Sequence, residues 1–569
     1  MCDSRRPPLP RKPMPRAPRW WTAVALVAGL AALLDAIRLR WVCDDAFISF
    51  RYARNLVRGH GLVFNVGEAV EGYTNFTWTL GAAAGIALGI DPIVWTWVWG
   101  IAAWLAIAVL LAVHAHRRSR WPIAALVWVA IPYGRMFATG GLETAAFALL
   151  FTATVLAARS EEVKTATHAA GVGLLAALAV MTRPEGGLVL LAGPLLLALQ
   201  DRRLGATAAG VSGLLVVPWL AFKLGFYGEL LPNTWYAKAG AGPRWSDGLA
   251  YLFGFFGPNA VVGLGLLGWG LAEPRKRLQD AVVMAILVVY LLHIARTGGD
   301  FMYSRFCIPL LPLLALGLER AAARLAARVD ATEVPKVWLA AGCLLPVGVA
   351  LAPVPPGLFG ETDSALFGTD GVVDERSWYP PTVVAQARDH GARLAECVSQ
   401  LDVRVAYYGT QAMLMYYADL PYALEPHVGL TDHEVARLPP PSGPRVGHGQ
   451  KTDVTYLRQR EIDLVFSFRL QQPITDITRL TFPDGLQARI LTWRSEVMSG
   501  VRACGARSMD FERFLDQWVA QLDQADDAEV DKAWRNFSAF YFDHNDDPVR
   551  ENAFRRRLGL PPRAEGDDR

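Results

Sequence analysis

The chain has 569 residues, 53% of them hydrophobic and 19 of them Trp, with a formal net charge of only +3. That composition is too apolar for an ordinary soluble protein, and the length allows a second unit. The small basic excess is accounted for by turns between apolar runs, which excludes nucleic acid as a partner. The six Cys show no metal-ligand spacing.

Apolar runs dominate to about residue 355, after which the chain is charged and only modestly apolar. Residues 1–19 carry six Lys/Arg ahead of an apolar run, Trp20 to Leu39, that is long enough to span a bilayer and lacks a cleavage site. The positive-inside tendency puts 1–19 in the cytoplasm, and Asp44 and Asp45 therefore emerge on the outer face. Phe76–Ile90 is short for a span and is predicted to be a juxtamembrane helix, so that Ile93–His114 returns the chain to the basic cluster Arg117, Arg118 and Arg120. Further spans are expected near 121–138, 142–158, 166–182, 187–200, 205–224, 256–272, 280–296, 304–320 and 337–353. The prediction is a polytopic α-helical membrane domain over 20–354, with about 11 transmembrane helices, followed by a small extracytoplasmic α/β domain over 355–569.

The first outward loop, 40–92, is the richest stretch. Asp44 to Arg58 reads as an amphipathic helix, with Ala46, Phe47, Phe50, Ala53 and Val57 on one stripe and Asp44, Arg51, Asn55 and Arg58 on another. Such a helix is expected to lie along the membrane interface, aromatic stripe down. An N-cap and a dipole partner are the ordinary account of Asp44 and Asp45. Two adjacent carboxylates at the mouth of a bundle also raise each other's proton affinity, which suits a general base acting on a hydroxyl. Beyond them, His60, Glu68, Glu71, Tyr73, Asn75 and Trp78 offer the acids, amides and aromatic faces that a sugar ring requires, or else an interfacial belt.

Later outward loops repeat the pattern. Glu143 in TGGLET starts a span, and Arg183 and Glu185 in MTRPEGG end another, where they pair with each other or serve a site. GELLPNTWYAKAGAG clusters Asn233, Trp235, Tyr236 and Lys238 in a loop broken by Pro232 and Gly240. RTGGDFMYSRF holds Asp300 and Arg305, a local ion pair or part of a phosphate clamp in which Arg305 acts with Lys238 or Arg183.

In the exported domain, strands are predicted at Val403–Tyr408, Tyr422–Glu425, Leu464–Phe468 and Ala488–Leu491, and helices near 384–399, 410–418 and 453–461. That alternation favours a partly parallel sheet. Asp432, His433, Arg445, His448 and Lys451 lie in its polar connections, with spacing too weak for a metal site. Cys397 and Cys504 both fall on this side, where a disulfide and free thiols are equally open. Residues 510–560 read as charged helices.

DDAFISFRYARNLVRGHGLVFNVGEAVEGYTNFTW, LPNTWYAK, GGDFMYSRF, GLTDHEVAR and RVGHGQK together resemble the terminal arabinofuranosyltransferases of mycobacterial cell walls and their bacterial relatives, in the glycosyltransferase-C superfamily. The resemblance implies a membrane fold of that type in the bacterial inner membrane. It implies transfer of a sugar, arabinofuranose for the nearest relatives, from a polyprenyl-phosphate donor to an extracytoplasmic cell-envelope glycan, with the acidic pair Asp44 and Asp45 as the catalytic element and a carbohydrate-binding module in the soluble domain. The expected mechanism is inverting displacement, with one Asp as base, donor phosphate held among Lys238, Arg305 and Arg183, and sugar or acceptor contacts from Arg51, His60, Glu68, Glu71, Tyr73, Asn75, Trp78, Asn233, Trp235, Tyr236 and Asp300. No cofactor is expected; the acidic pair could bind a divalent ion, but Lys or Arg suffices for a monophosphate leaving group. The alternatives are another polyprenyl-phosphate sugar on polysaccharide, lipid or protein, and a non-catalytic lipid-sugar transporter. A transporter is expected to carry paired charges at mid-membrane depth, whereas the polar residues here gather at one face.

Overall fold

The computed structural model describes residues 19–118, 120–160, 165–239, 242–271, 276–329, 333–350, 372, 374–409, 411–439, 452–467 and 476–563. Helices make up everything before residue 350. Among the described residues, Pro92–Arg117, Arg202–Tyr227 and Arg277–Thr297 are long and apolar enough to cross a membrane. Trp245–Phe256 and Ala260–Gly270, bent by 104° at Gly257-Pro258, form a fourth span if counted as one. Five more apolar helices are shorter: Phe76–Ala87, Thr144–Ala158, Ala166–Thr182, Pro184–Ala198 and Val334–Ala350.

Two expected spans are broken, each at proline. The stretch 121–138 divides into Ile123–Ala130 and Pro132–Phe137, because Ile131 takes the extended conformation that a following Pro imposes. In 304–320 the α-helix starts only at Leu311, behind a 3-10 turn at Ile308–Leu310 and an irregular segment in which Ser304 holds φ 65°. That irregular segment presents Arg305.

The second unit is a six-stranded mixed sheet. Its strands are β1 Arg404–Tyr408, β2 Tyr422–Leu424, β3 Leu464–Ser467, β4 Arg479–Thr481, β5 Gln487–Ile490 and β6 Arg507–Ser508, in the order β2-β1-β3-β5-β4-β6. β1 pairs in parallel with β2 and β3, and the remaining pairings are antiparallel. The four predicted strands are present within a residue or two, as are the helices Pro381–Val398, Ala412–Tyr417 and Val454–Gln459; β4 and β6 were not predicted. Cys397 and Cys504 are joined by a disulfide, Cα to Cα 5.4 Å. The tail forms the helices Phe511–Gln521, Asp527–Phe537 and Pro548–Arg557, closed over an aromatic cluster around Phe511.

Candidate active site

The helix Asp44–Val57 is largely buried within the protein. It is packed between the helices Phe76–Ala87 and Ala412–Tyr417, with Phe47 5.4 Å and Phe50 6.3 Å from the Tyr416 ring. Most of the apolar stripe packs on protein, and Asp44, Arg51 and Asn55 of the polar stripe are buried as well, Arg51 being 1% exposed, while Val57 and Arg58 at the far end are exposed. The Arg51 guanidinium donates to the carbonyls of Phe64 at 2.7 Å and Leu420 at 2.9 Å and to Asn65 Oδ1 at 3.2 Å, over the Phe64 ring. Arg51 thus binds the loop and the sheet unit together, with Nε and both Nη2 hydrogens committed to protein acceptors.

The two aspartates part company at the start of this helix. Asp44 points at the first turn of Ala412–Tyr417 and accepts from the amides of Met413 at 2.8 Å and Ala412 at 3.0 Å. It caps a helix 368 residues away. Burial pushes its carboxyl up to about 7, against the pull of those two amides. Asp45 is only partly buried, and its charge acts on Arg305 from the membrane unit and on Glu425 and Tyr379 from the sheet unit.

Around Arg305 is a buried charge network. Glu143 accepts from Arg183 Nη1 at 2.6 Å and from Asn75 Nδ2 at 2.9 Å, and Arg183 is gripped from its other edge by Glu185 at 2.8 and 3.2 Å. The expected Arg183–Glu185 pair is therefore present, with Glu143 added, and Arg183 is neutralised by both. Arg305 differs. It reaches Glu143 at 3.4 Å, Met302 Sδ at 3.5 Å and Asp300 at 3.6 Å, and its buried Nε has no hydrogen-bond partner. Of Arg183 and Arg305 it is the less fully bonded; the side chain of Lys238 lies outside the described residues.

Backbone close approach fixes the geometry. Cys43 N donates to Gly140 O, and Gly141, at φ 82°, leaves no room for a Cβ, which would lie 2.8 Å from Ala46 Cβ. Trp78 Nε1 donates to Gly141 O at 2.9 Å. Asp44, Asp45, Asn75, Trp78, Glu143, Arg183, Asp300 and Arg305 are in this way drawn into one neighbourhood.

Other predicted site residues are occupied elsewhere. Asn233 donates to the carbonyls of Gly429, Leu430 and Asp432, tying the helix Asn233–Ala239 to the sheet unit. Glu68 pairs with Arg460 at 2.6 Å, and Glu71 pairs with Lys223 at 2.9 Å. Burial pushes Glu71 up to about 7 despite that lysine. Tyr73 bonds the Tyr227 hydroxyl, Tyr236 lies under the Arg437 guanidinium, and Trp235 is 48% exposed. His60 is exposed beyond the far end of the first-loop helix, roughly 20 Å from Asp45 by helical rise. Asp432 caps His433–Ala436 and accepts from Tyr456, while Arg445, His448 and Lys451 lie outside the described residues. Among the described residues, no group of three His, Cys, Asp or Glu is arranged to hold a metal ion.

Sequence reasoning missed Glu425. It directly follows β2 at the carboxyl end of parallel strands, a usual place for ligand contacts, and its position after YAL and before Pro426 was the available signal. It is 7% exposed, and burial pushes it up to about 8, opposed by the Leu430 amide and reinforced by Asp45.

With this geometry in view, the similar proteins fall into place. The chain is 31% identical over 347 residues to a terminal β-(1→2)-arabinofuranosyltransferase of Mycobacterium tuberculosis, covering 52% of this chain and 54% of that one. It is 32% identical over 349 residues to the protein of the same name in Corynebacterium glutamicum, covering 51% and 49%. The chain resembles terminal arabinofuranosyltransferases. It spans about half the length of these curated relatives. No family model matches. Among solved structures, ArnT from Cupriavidus metallidurans bound to undecaprenyl phosphate superposes with TM-score 0.49 at 15% identity, over 71% of this chain and 86% of that one. The archaeal oligosaccharyltransferase AglB from Archaeoglobus fulgidus, in complex with an inhibitory peptide and a dolichol-phosphate, gives TM-score 0.44 at 11% identity, over 84% and 75%.

Proposed function

We propose that this chain is a membrane glycosyltransferase of the glycosyltransferase-C type that moves a sugar, arabinofuranose, from a polyprenyl-phosphate donor to an extracytoplasmic glycan of the bacterial cell envelope. The observation that carries the proposal is an under-bonded Arg305 under the electrostatic influence of a partly exposed Asp45, beside a buried network of Glu143, Asp300 and Arg183. Similarity to two named arabinofuranosyltransferases supports the sugar. The Cys397–Cys504 disulfide supports an exported sheet unit.

In this mechanism Asp45 takes the proton from the acceptor hydroxyl, because Asp44 already has both oxygens bonded to amides. Arg305 neutralises the departing lipid phosphate, with Lys238 proposed as a second cation. Arg183 orients Glu143 and through it Asn75. We assign the phosphate to these cations and not to a divalent ion; transfer abolished by a chelator and restored by Mg²⁺ would overturn that choice.

The relatives' names specify a β linkage, so the anomeric outcome tests the mechanism. A single displacement with Asp45 as base converts an α-phosphate donor into a β product. A β-phosphate donor giving the same product would require a different course.

The direct test is transfer of labelled arabinose from decaprenyl-phosphate arabinose to a short arabinan by purified protein. No transfer by folded wild type sinks the arabinose assignment and calls for a panel of other polyprenyl-phosphate sugars; inactivity with all of them sinks the enzyme.

A further inference from the structure

The end of the bundle opposite Asp45 carries a second site. Thr144–Ala158 starts beside Glu143 and ends at Arg159, roughly 24 Å away by helical rise. Arg277–Thr297 runs the other way, from Lys276 to the loop of Asp300. Between these far ends, and beside Pro92–Arg117 and Leu311–Ala326, lies a small polar cavity. Its lining among the described residues includes Arg118, Arg120, Arg159, Lys276 and Arg320, with Leu156 and Leu316 as apolar wall, and the Asp280 carboxylate bonds two of these arginines.

The cations are built in. Glycine contacts bring two helices together here: a Cβ on Gly268 would lie 1.8 Å from Gly317 O, and one on Gly265 2.1 Å from Leu314 O. That approach sets Trp269 between two guanidinium groups, Arg159 at 5.2 Å and Arg320 at 4.4 Å from its ring centre. Asp280 accepts from both arginines at 2.6 Å, fixing one edge of each. Arg118 is held by the His114 ring at 2.8 Å. Arg159 is 5% exposed, yet its buried Nη1 has no hydrogen-bond partner among the described residues. A stacked guanidinium, anchored at one edge and unsatisfied at the other, lacks an oxyanion acceptor.

We propose that this cavity binds a phosphate group. Planar forks and a lysine match phosphate oxygens, and the apolar wall suits an ester substituent. By the positive-inside bias this end is cytoplasmic, at the depth of lipid headgroups, where basic pockets between helices take anionic lipid. The phosphate therefore comes either from an anionic phospholipid or from a soluble phosphate in the cytoplasm.

The test uses full-length purified protein, delipidated in detergent and titrated with phosphatidylglycerol, phosphatidylcholine or inorganic phosphate. Bound lipid is counted by native mass spectrometry and phosphate binding is followed by thermal shift. Wild type is compared with Lys276→Gln and Arg320→Gln, each checked for monodisperse elution. One equivalent of phosphatidylglycerol, not displaced by phosphate, absent with phosphatidylcholine and weakened about fivefold per lost charge, supports the lipid source. Saturable binding of inorganic phosphate with the same dependence on the variants supports the soluble source. Should Arg320→Gln fail to fold, Lys276→Gln decides alone. Equal binding of both probes by wild type and folded variants overturns the site.

Discussion

Replacing Asp45 by Asn separates catalysis from folding, provided that Asp44→Asn is measured beside it. Asp45 is partly exposed in the first turn of its helix, so its loss removes a dipole partner worth about 0.3–1 kcal/mol. As the base it is worth roughly 10² to 10⁴ in rate, or about 3–5 kcal/mol of barrier. The expected result is a fall in kcat of that size with Tm nearly unchanged. Asp44→Asn works in the opposite direction. It replaces one of two oxygens that receive the Ala412 and Met413 amides, costing about 1–3 kcal/mol. It also sheds a buried charge, and moving a carboxyl from 3.8 to about 7 corresponds to roughly 4 kcal/mol against the charged form. A group raised in this way gives stability that is full below pH 3.8 and is lost as pH rises through about 7. Asp44→Asn should therefore fold at pH 8, flatten the decline in stability between about pH 4 and 7, and keep kcat within about tenfold. The assay is arabinose transfer from decaprenyl-phosphate arabinose, with thermal unfolding of the same preparations. Full activity in Asp45→Asn, or an inactive Asp44→Asn of native stability, refutes the assignment.

Arg305→Lys keeps the charge but loses the fork, and kcat/KM for the lipid donor should drop about 10²-fold without loss of thermal stability. Glu425 is protonated at neutral pH, and its ionisation through about 8 sets a further negative charge near Asp45, so donor KM should rise above that pH; Glu425→Gln should abolish this alkaline limb in a pH–KM profile. Arg51→Met removes two short charge-assisted bonds, at 2.7 and 2.9 Å, and should cost about 3–6 kcal/mol in chemical denaturation; normal stability with raised acceptor KM would return Arg51 to sugar binding. The Cys397→Ser, Cys504→Ser double variant should lose about 2–4 kcal/mol, read by the same denaturation.

Much of the fold was legible because periodicity and breakers are local signals. The four central strands, and the apolar runs that became Arg202–Tyr227 and Arg277–Thr297, needed nothing else. The span over 121–138 failed where Pro132 outweighed hydropathy, a signal present but discounted. The site was legible in part: DDAF, GGLE, TRPE and GGDFMYSR do share one neighbourhood. What could not be read was assignment within it. Whether a carboxylate faces an arginine or a helix cap depends on a segment 368 residues away, and no spacing in DDAF distinguishes Asp44 from Asp45. The contacts that Arg51 and Asn233 make to the sheet unit were invisible for a similar reason, since polar residues in outward loops serve a domain contact as well as a ligand. The amphipathic stripe suggested lipid because the covering helix Ala412–Tyr417 was invisible from the stripe alone.

The cap on that helix also sets an order of events in biosynthesis. Asp44 leaves the ribosome 368 residues before Ala412, a delay of roughly 20–70 s at ordinary elongation rates. During that interval the acidic pair faces water beside a helical bundle already being inserted, with no amides to engage Asp44 and no Glu425 near Asp45. On the proposed function, activity must await docking of the last third of the chain, and a nascent chain stalled before residue 412 should show no transfer from a lipid-linked sugar.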